Sequence, residues 1–209
     1  ININKNEVFF SCKLDIYKNA INFKNLNYTK KKDIKSALFI EGVRKKNDSI
    51  TIDKIRFKEN SNIIEIKKIE INKNKKINSI SKIDISLINN NDQLTELNVK
   101  RNNENYLVKS KIFDATKLLD KILFSKDDTN ILQNFNKINS SIDINIGNIY
   151  LSKNDYLMNF STLIEIKNGQ IENVILSSNF PNDDKLNLSI TKNISNEKII
   201  TLTTKNAEP

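Results

Sequence analysis

Ile83-Asp84-Ile85-Ser86-Leu87 and, further along, Ile142-Asp143-Ile144-Asn145-Ile146 alternate apolar and polar residues with a period of two. In an extended chain successive side chains point to opposite faces, so each stretch reads as a strand with one apolar and one wet face. The pattern spreads outward from both. Ile50-Thr51-Ile52 leads to Ile55-Arg56-Phe57, and Ile64-Glu65-Ile66 leads to Ile69-Glu70-Ile71. Residues 156–166, 171–176, 186–190 and 199–203 repeat it. Asn/Asp/Ser/Lys clusters bound these runs, and Asn168-Gly169 is the clearest hairpin signal. With 3 Gly in 209 residues, Asn is the residue expected at left-handed turn positions. Between Ile52 and Ile55, and between Ile66 and Ile69, two polar residues intervene instead of one, which predicts β-bulges. The expected fold is mainly β, a long twisted antiparallel meander forming a curved, groove-like sheet with one or two short helices.

One segment departs from the rhythm. Leu118, Leu119, Ile122 and Leu123 fall on one helical face behind Asp114, an N-cap residue. The spacing predicts a helix from about Ala115 to Ser125, and a second short helix is a reading of Ser36 to Ile40. The expected organisation is an N-terminal β-groove section over 1–112, an amphipathic helix junction over 113–126 and a C-terminal β-meander section of the same groove over 127–209. The sequence opens Ile1-Asn2-Ile3-Asn4 and ends Ala207-Glu208-Pro209 after a strand-like run, so it reads as part of a longer protein.

Composition narrows the chemistry. There is no His and a single Cys, Cys12, so a Ser-His-Asp triad, a Cys-His pair and a thiolate cluster are excluded. The acidic pairs Asp127-Asp128 and Asp183-Asp184 sit in loop-like clusters and read as solvated turns, and Cys12 reads as a small strand residue. No catalytic residue, metal or cofactor is assigned, and the chain is expected not to be an enzyme. The net charge of +9 suits phosphate binding, yet Arg44, Arg56 and Arg101 are the only arginines, and arginine is the usual residue for bidentate phosphate and base contacts. Lys30-Lys31-Lys32 and residues 73–76 read as loops. The lysine surplus is assigned to the Ile-Lys-Asn bias of an AT-rich coding sequence, and no nucleic-acid partner is expected.

No apolar run exceeds about four residues, against the roughly 20 that span a bilayer, so an anchor would lie outside these residues. Apolar faces over so many strands must be covered by another sheet, by helices or by a ligand. One helix of about a dozen residues is too small for that. The face therefore packs on itself as a β-sandwich, or opens as a trough that takes apolar chains.

Val108-Lys109-Ser110-Lys111-Ile112-Phe113-Asp114-Ala115-Thr116-Lys117-Leu118-Leu119 resembles the strand that runs into a "phe-Asp-ala-x-x-leu-leu" helix in the bacterial AsmA-like superfamily, especially its YhdP- and TamB-related members. The layout that follows is similar, through residues 142–151, the Asn168-Gly169 hairpin, residues 186–190 and the final run 199–207. Asn206-Ala207-Glu208 stands where the family more usually has Asp-Ala-Gly. The resemblance implies a repeating β-groove in the periplasm of a Gram-negative cell, held to the inner membrane by an anchor outside this segment, with phospholipid acyl chains moving along the groove toward the outer membrane. The implied lining is Ile64, Ile66, Ile83, Ile85, Leu87, Ile142, Ile144, Ile146, Leu186, Leu188 and Ile190. The alternative is a structural or adhesive β-sandwich module without ligand, built of two sheets about 10 Å apart.

Overall fold

The computed structural model describes residues 2–4, 6–117, 139–193, 195 and 197–205. Fifteen strands follow one another: β1 Asn2–Asn4, β2 Glu7–Asp15, β3 Ile21–Phe23, β4 Tyr28–Lys30, β5 Ala37–Lys45, β6 Ile50–Glu59, β7 Asn62–Ile71, β8 Ile77–Ile88, β9 Leu94–Asn102, β10 Asn105–Asp114, β11 Ser140–Tyr150, β12 Tyr156–Lys167, β13 Gln170–Asn179, β14 Lys185–Lys192 and β15 Lys198–Thr204. Thirteen form one open sheet, in the order β1-β2-β5-β6-β7-β8-β9-β10-β11-β12-β13-β14-β15, while β3 and β4 form a separate hairpin. The period-two runs thus become the strands they predict, paired mostly with their neighbours in sequence.

Two expectations are corrected. The meander is interrupted once, because β10 and β11 pair in parallel. A parallel pair needs a crossover that carries the chain back along the strand, and residues 118–138, between the two strands in sequence, lie outside the described residues. Asp114 Oδ1 accepts the N–H of Thr116 at 3.0 Å, and Thr116 and Lys117 begin a helix; the rest of the expected helix lies outside the described residues, as does the motif at 206–208. The short helix read at Ser36 to Ile40 is strand β5 instead, hydrogen-bonded to β2 on one side and β6 on the other. Pairing on both edges overrides a weak local preference.

Asparagine and aspartate make the turns. Asn27, Asn60, Asn103 and Asn168 have positive φ, and so do Asp33, Asp48, Asp92, Asp183 and, in the β7–β8 turn, Lys75; Asn159 has it inside β12. Asn168 (φ 52°) and Gly169 (φ 75°) turn the β12–β13 hairpin, as expected of a two-residue loop. Asn side chains also close turns directly. Asn72 Oδ1 accepts the N–H groups of Asn74 and Lys76, and Asn89 Oδ1 those of Asn91 and Gln93.

The bulge expected between Ile52 and Ile55 is present, since Gly42 pairs with Ile52 and Glu41 with Lys54, leaving Asp53 extra. Between Ile66 and Ile69 the pairing stays in register with β6, and the irregularity there is Lys68 in the left-handed region (φ 50°). Gly42 is buried at the bulge, where an added Cβ would overlap the Thr51 carbonyl oxygen and lie 2.8 Å from Phe10 Cζ. Strand propensity favours Ala over Gly by about 0.5–1 kcal/mol, but a clash with backbone costs about 1–3 kcal/mol. Gly42→Ala is accordingly expected to lower stability, with a drop of a few degrees in Tm; an unchanged or higher Tm would show that the bulge relaxes around a methyl group.

Candidate functional site: an apolar row across twelve strands

Cross-strand partners in a ladder place their side chains on the same face. Followed from strand to strand, the register joins Cys12, Ile40, Ile55, Ile66, Ile83 and Val99 on β2 to β9. It continues without a break through Val108, Ile144, Thr162, Leu176, Leu188 and Leu202 on β10 to β15. Only Cys12 and Thr162 in this row are not aliphatic. One residue to the side runs a second row, Arg56, Glu65, Asp84, Asn98, Lys109, Asn145, Ser161, Ser177, Asn187 and Thr203, which is polar throughout. One face of the sheet therefore carries a continuous apolar row, and its reverse is mainly polar, with Phe39, Leu163 and Ile175 among the apolar exceptions.

All eleven residues singled out from the sequence lie on this apolar face. Ile66, Ile83, Ile144 and Leu188 are in the row itself. Ile64 and Ile85 pair beside it, between Phe57 and Leu97, and Ile146 pairs with Ser110 and Phe160. Ile142 and Ile190 belong to a flanking row with Ile164, Val174 and Ile200. Leu87 pairs with Thr95, and Leu186 with Ser178 and Thr204. The other members, among them Ile40, Val99, Val108, Leu176 and Leu202, carry the same alternation in the sequence, but the register is what places them on one line.

Burial is uneven along the strands. The core forms two clusters along one margin of the sheet. One is Phe57, Ile64, Leu87 and Tyr28; the other is Phe113, Ala115, Ile146, Ile149 and Leu157. The long row keeps only Thr162 fully buried, leaves the rest half-buried, and opens at its ends in Cys12 and Leu202, the latter 62% exposed. An open depression of about 980 Å³ crosses β8 to β12, lined by Ile63 and residues 84–86, 96–98, 109–111, 145–147 and 159–161. The β3–β4 hairpin, with a 3-10 turn at Lys24–Leu26, lies over the packed margin. Phe23, Tyr28 and Phe57 cluster with ring centroids 5.4–6.2 Å apart, Phe23 stacked on Tyr28 and Phe57 tilted against both, and Leu26 touches both clusters.

Polar contacts fasten this hairpin down. Tyr28 donates its hydroxyl to Glu59 at 2.7 Å, and burial, with the Glu59 carboxylate beside it, pushes the phenol well above its ordinary value. Lys30, fully buried, donates to the carbonyls of Tyr17 and Asn19. Asn90 donates its backbone N–H to the Asn27 carbonyl and exchanges hydrogen bonds with Thr29 through its side chain. Asp114 is the centre. Its Oδ2 accepts from Asn27 (3.0 Å), Asn89 (2.7 Å) and Asn91 (3.4 Å) while Oδ1 caps Thr116. The Phe113-Asp114-Ala115 motif is buried at all three residues, and ties hairpin, β8–β9 turn and crossover together.

On the wet face Glu65 lies 2.9 Å from Lys67, 3.6 Å from Arg56 and 3.8 Å from Lys54. The Lys67 hydrogen bond, with Lys54 and Arg56 adding charge, holds the Glu65 carboxyl below the usual value, although burial opposes it. A depressed folded-state pKa gives stability that is present above the unfolded value, about 4.3 for Glu, and is lost as pH falls through the folded one. Urea midpoints should therefore fall on acidification below about pH 5, and Glu65→Gln should flatten part of that fall. An identical pH profile for the variant would remove Glu65 from the account.

No family model, characterised protein or solved structure matches the chain. Among the described residues no helix is long and apolar enough to cross a membrane, and no three metal-ligating side chains cluster.

Proposed function

We propose that the apolar face holds the acyl chains of lipid, and that the chain is a non-enzymatic, periplasmic section of an AsmA-like protein that carries phospholipid between the inner and outer membranes. The observation that carries this reading is the unbroken row from Ile40 to Leu202, aliphatic except at Thr162 and half-buried over most of its length. An apolar surface that the protein's own core leaves open is stabilised by any chain that covers it, at about 25 cal/mol per Å² removed from water. A row that crosses twelve strands offers the same lining at each step, and movement along it demands no reacting group. The Phe113-Asp114-Ala115 junction, which resembles that family's strand-to-helix motif, supports the assignment, and the location in the envelope follows from the same resemblance. The sandwich alternative calls for two stacked sheets, whereas the described residues place thirteen strands in one sheet and two in a small hairpin. The test is an organic extract of the purified protein analysed by mass spectrometry. Phospholipid in stoichiometric amount is expected, and a lipid-free protein that takes up no fluorescent fatty acid would overturn the reading.

A further inference from the structure

The sheet is open, and β15 presents a free edge on the side away from β14. Unpaired backbone N–H and C=O groups along such an edge pair with another strand unless proline, a bulge, charge or a very short strand blocks them. None of these stands in Ile199-Ile200-Thr201-Leu202-Thr203-Thr204, and the ladder to β14 runs without a shift from Lys192 with Lys198 to Leu186 with Thr204. Ile200 and Leu202 are 66% and 62% exposed, more than any other large apolar side chain among the described residues. The opposite edge is built differently. There β1 covers β2 at residues 7–9, and the uncovered part of β2 carries Lys13 and Asp15.

We propose that β15 pairs antiparallel with β15 of a second copy of this chain, about a two-fold axis at Thr201. Such an isologous contact demands that a strand be complementary to its own reverse. In this register all seven residues of β15 are paired, which supplies about six to eight backbone hydrogen bonds. Lys198 meets the partner's Thr204, Ile199 the partner's Thr203, Ile200 the partner's Leu202 and Thr201 the partner's Thr201. Just beyond the strand ends the exposed Glu197 meets the partner's Lys205, itself exposed, and the symmetry makes that opposite-charge contact twice. Neighbouring registers lose the match. An axis at Ile200 sets Lys198 against Leu202, and an axis at Leu202 sets Lys205 against Ile199. An axis between two residues joins the apolar face of one copy to the polar face of the other. With the axis at Thr201, Leu202 lies beside the partner's Ile200 on the same side of the sheet, so the apolar faces of the two copies run on into each other.

The experiment is sedimentation velocity of the purified 209-residue protein from about 1 to 100 μM. Salt of about 0.15 M screens the net charge of +9 on each copy. A 24.1 kDa monomer is expected to give way to a dimer of twice that mass as concentration rises. Lys205→Glu sets like charges against each other at both ends of the seam and should weaken the dimer about tenfold, as should Glu197→Lys. The exchange Glu197→Lys/Lys205→Glu should restore the dissociation constant to within about threefold, a recovery that misfolding cannot produce. Ile200→Asp, at an exposed position, should weaken the dimer by about tenfold or more. Lys13→Glu, at the opposite edge, should change it less than about twofold. A protein still monomeric at about 100 μM, a double exchange no better than the single ones, an equal loss in Lys13→Glu, or a dimer unmoved by both Ile200→Asp and Lys205→Glu would each overturn the proposal. The pairing uses the strand edge, so lipid-free protein should dimerise to the same extent, and this contact and the acyl-chain reading fail separately.

Discussion

Asp114→Ala is expected to destabilise the protein by about 3 kcal/mol or more, the largest effect of any single polar substitution here. Hydrogen bonds to a charged group contribute about 1.5–3 kcal/mol each when a partner is left buried and unmet, and a lost helix cap adds about 1 kcal/mol. Asp114 is 1% exposed and receives three asparagine amides and one backbone N–H, so removing its carboxylate strands several donors at once. For a chain of this length the loss corresponds to roughly 10 °C in Tm. The effect should also be local. Hydrogen exchange should quicken in residues 27–30 and 89–93, which are joined by hydrogen bonds through this carboxylate and Asn90. Asp114→Asn keeps one acceptor oxygen and should lose less. If Asp114→Ala melts normally, or loosens the whole sheet evenly, the carboxylate is not the bolt between hairpin and sheet.

That bolt was half legible in the sequence. Phe113-Asp114 stood out as the end of a strand and the cap of a helix, but its partners Asn27, Asn89 and Asn91 lie 87, 25 and 23 residues away, and no local pattern ties them to it. The same boundary runs through the fold. Strands of about ten residues declare themselves by alternation, because one face must leave water. Strands of three residues, Ile21–Phe23 and Tyr28–Lys30, are too short to show a period, so the hairpin over the packed margin was invisible and Lys30 read as a loop residue although it is buried. The parallel β10–β11 step was equally hidden, since a dividing helix does not say in which direction the chain returns.

Ile144→Asp should deplete co-purified lipid by more than tenfold while Asn145→Asp, one residue away, leaves it unchanged. Both introduce the same charge into the same strand. Ile144 stands in the apolar row between Val108 and Thr162, where a hydrated carboxylate would strip an acyl chain of contact with three or so methylenes, about 2–3 kcal/mol at ~0.8 kcal/mol each. Asn145 stands exposed in the polar row between Lys109 and Ser161, with Asp143 2.7 Å away, where a carboxylate stays in water. Leu188→Asp against Asn187→Asp repeats the comparison near the far edge, between Leu176 and Leu202 for the first and Ser177 and Thr203 for the second. Because Ile144 and Leu188 are half-buried, the folded state should survive both substitutions with a modest loss, to be verified by thermal melts on the same preparations. A chain that slides along the whole row must cross every member, so either aspartate should also slow transfer of a fluorescent phospholipid between vesicle populations. If Ile144→Asp folds and keeps its lipid, the row is not the binding surface. If all four variants lose lipid alike, what matters is net charge rather than the face on which it falls.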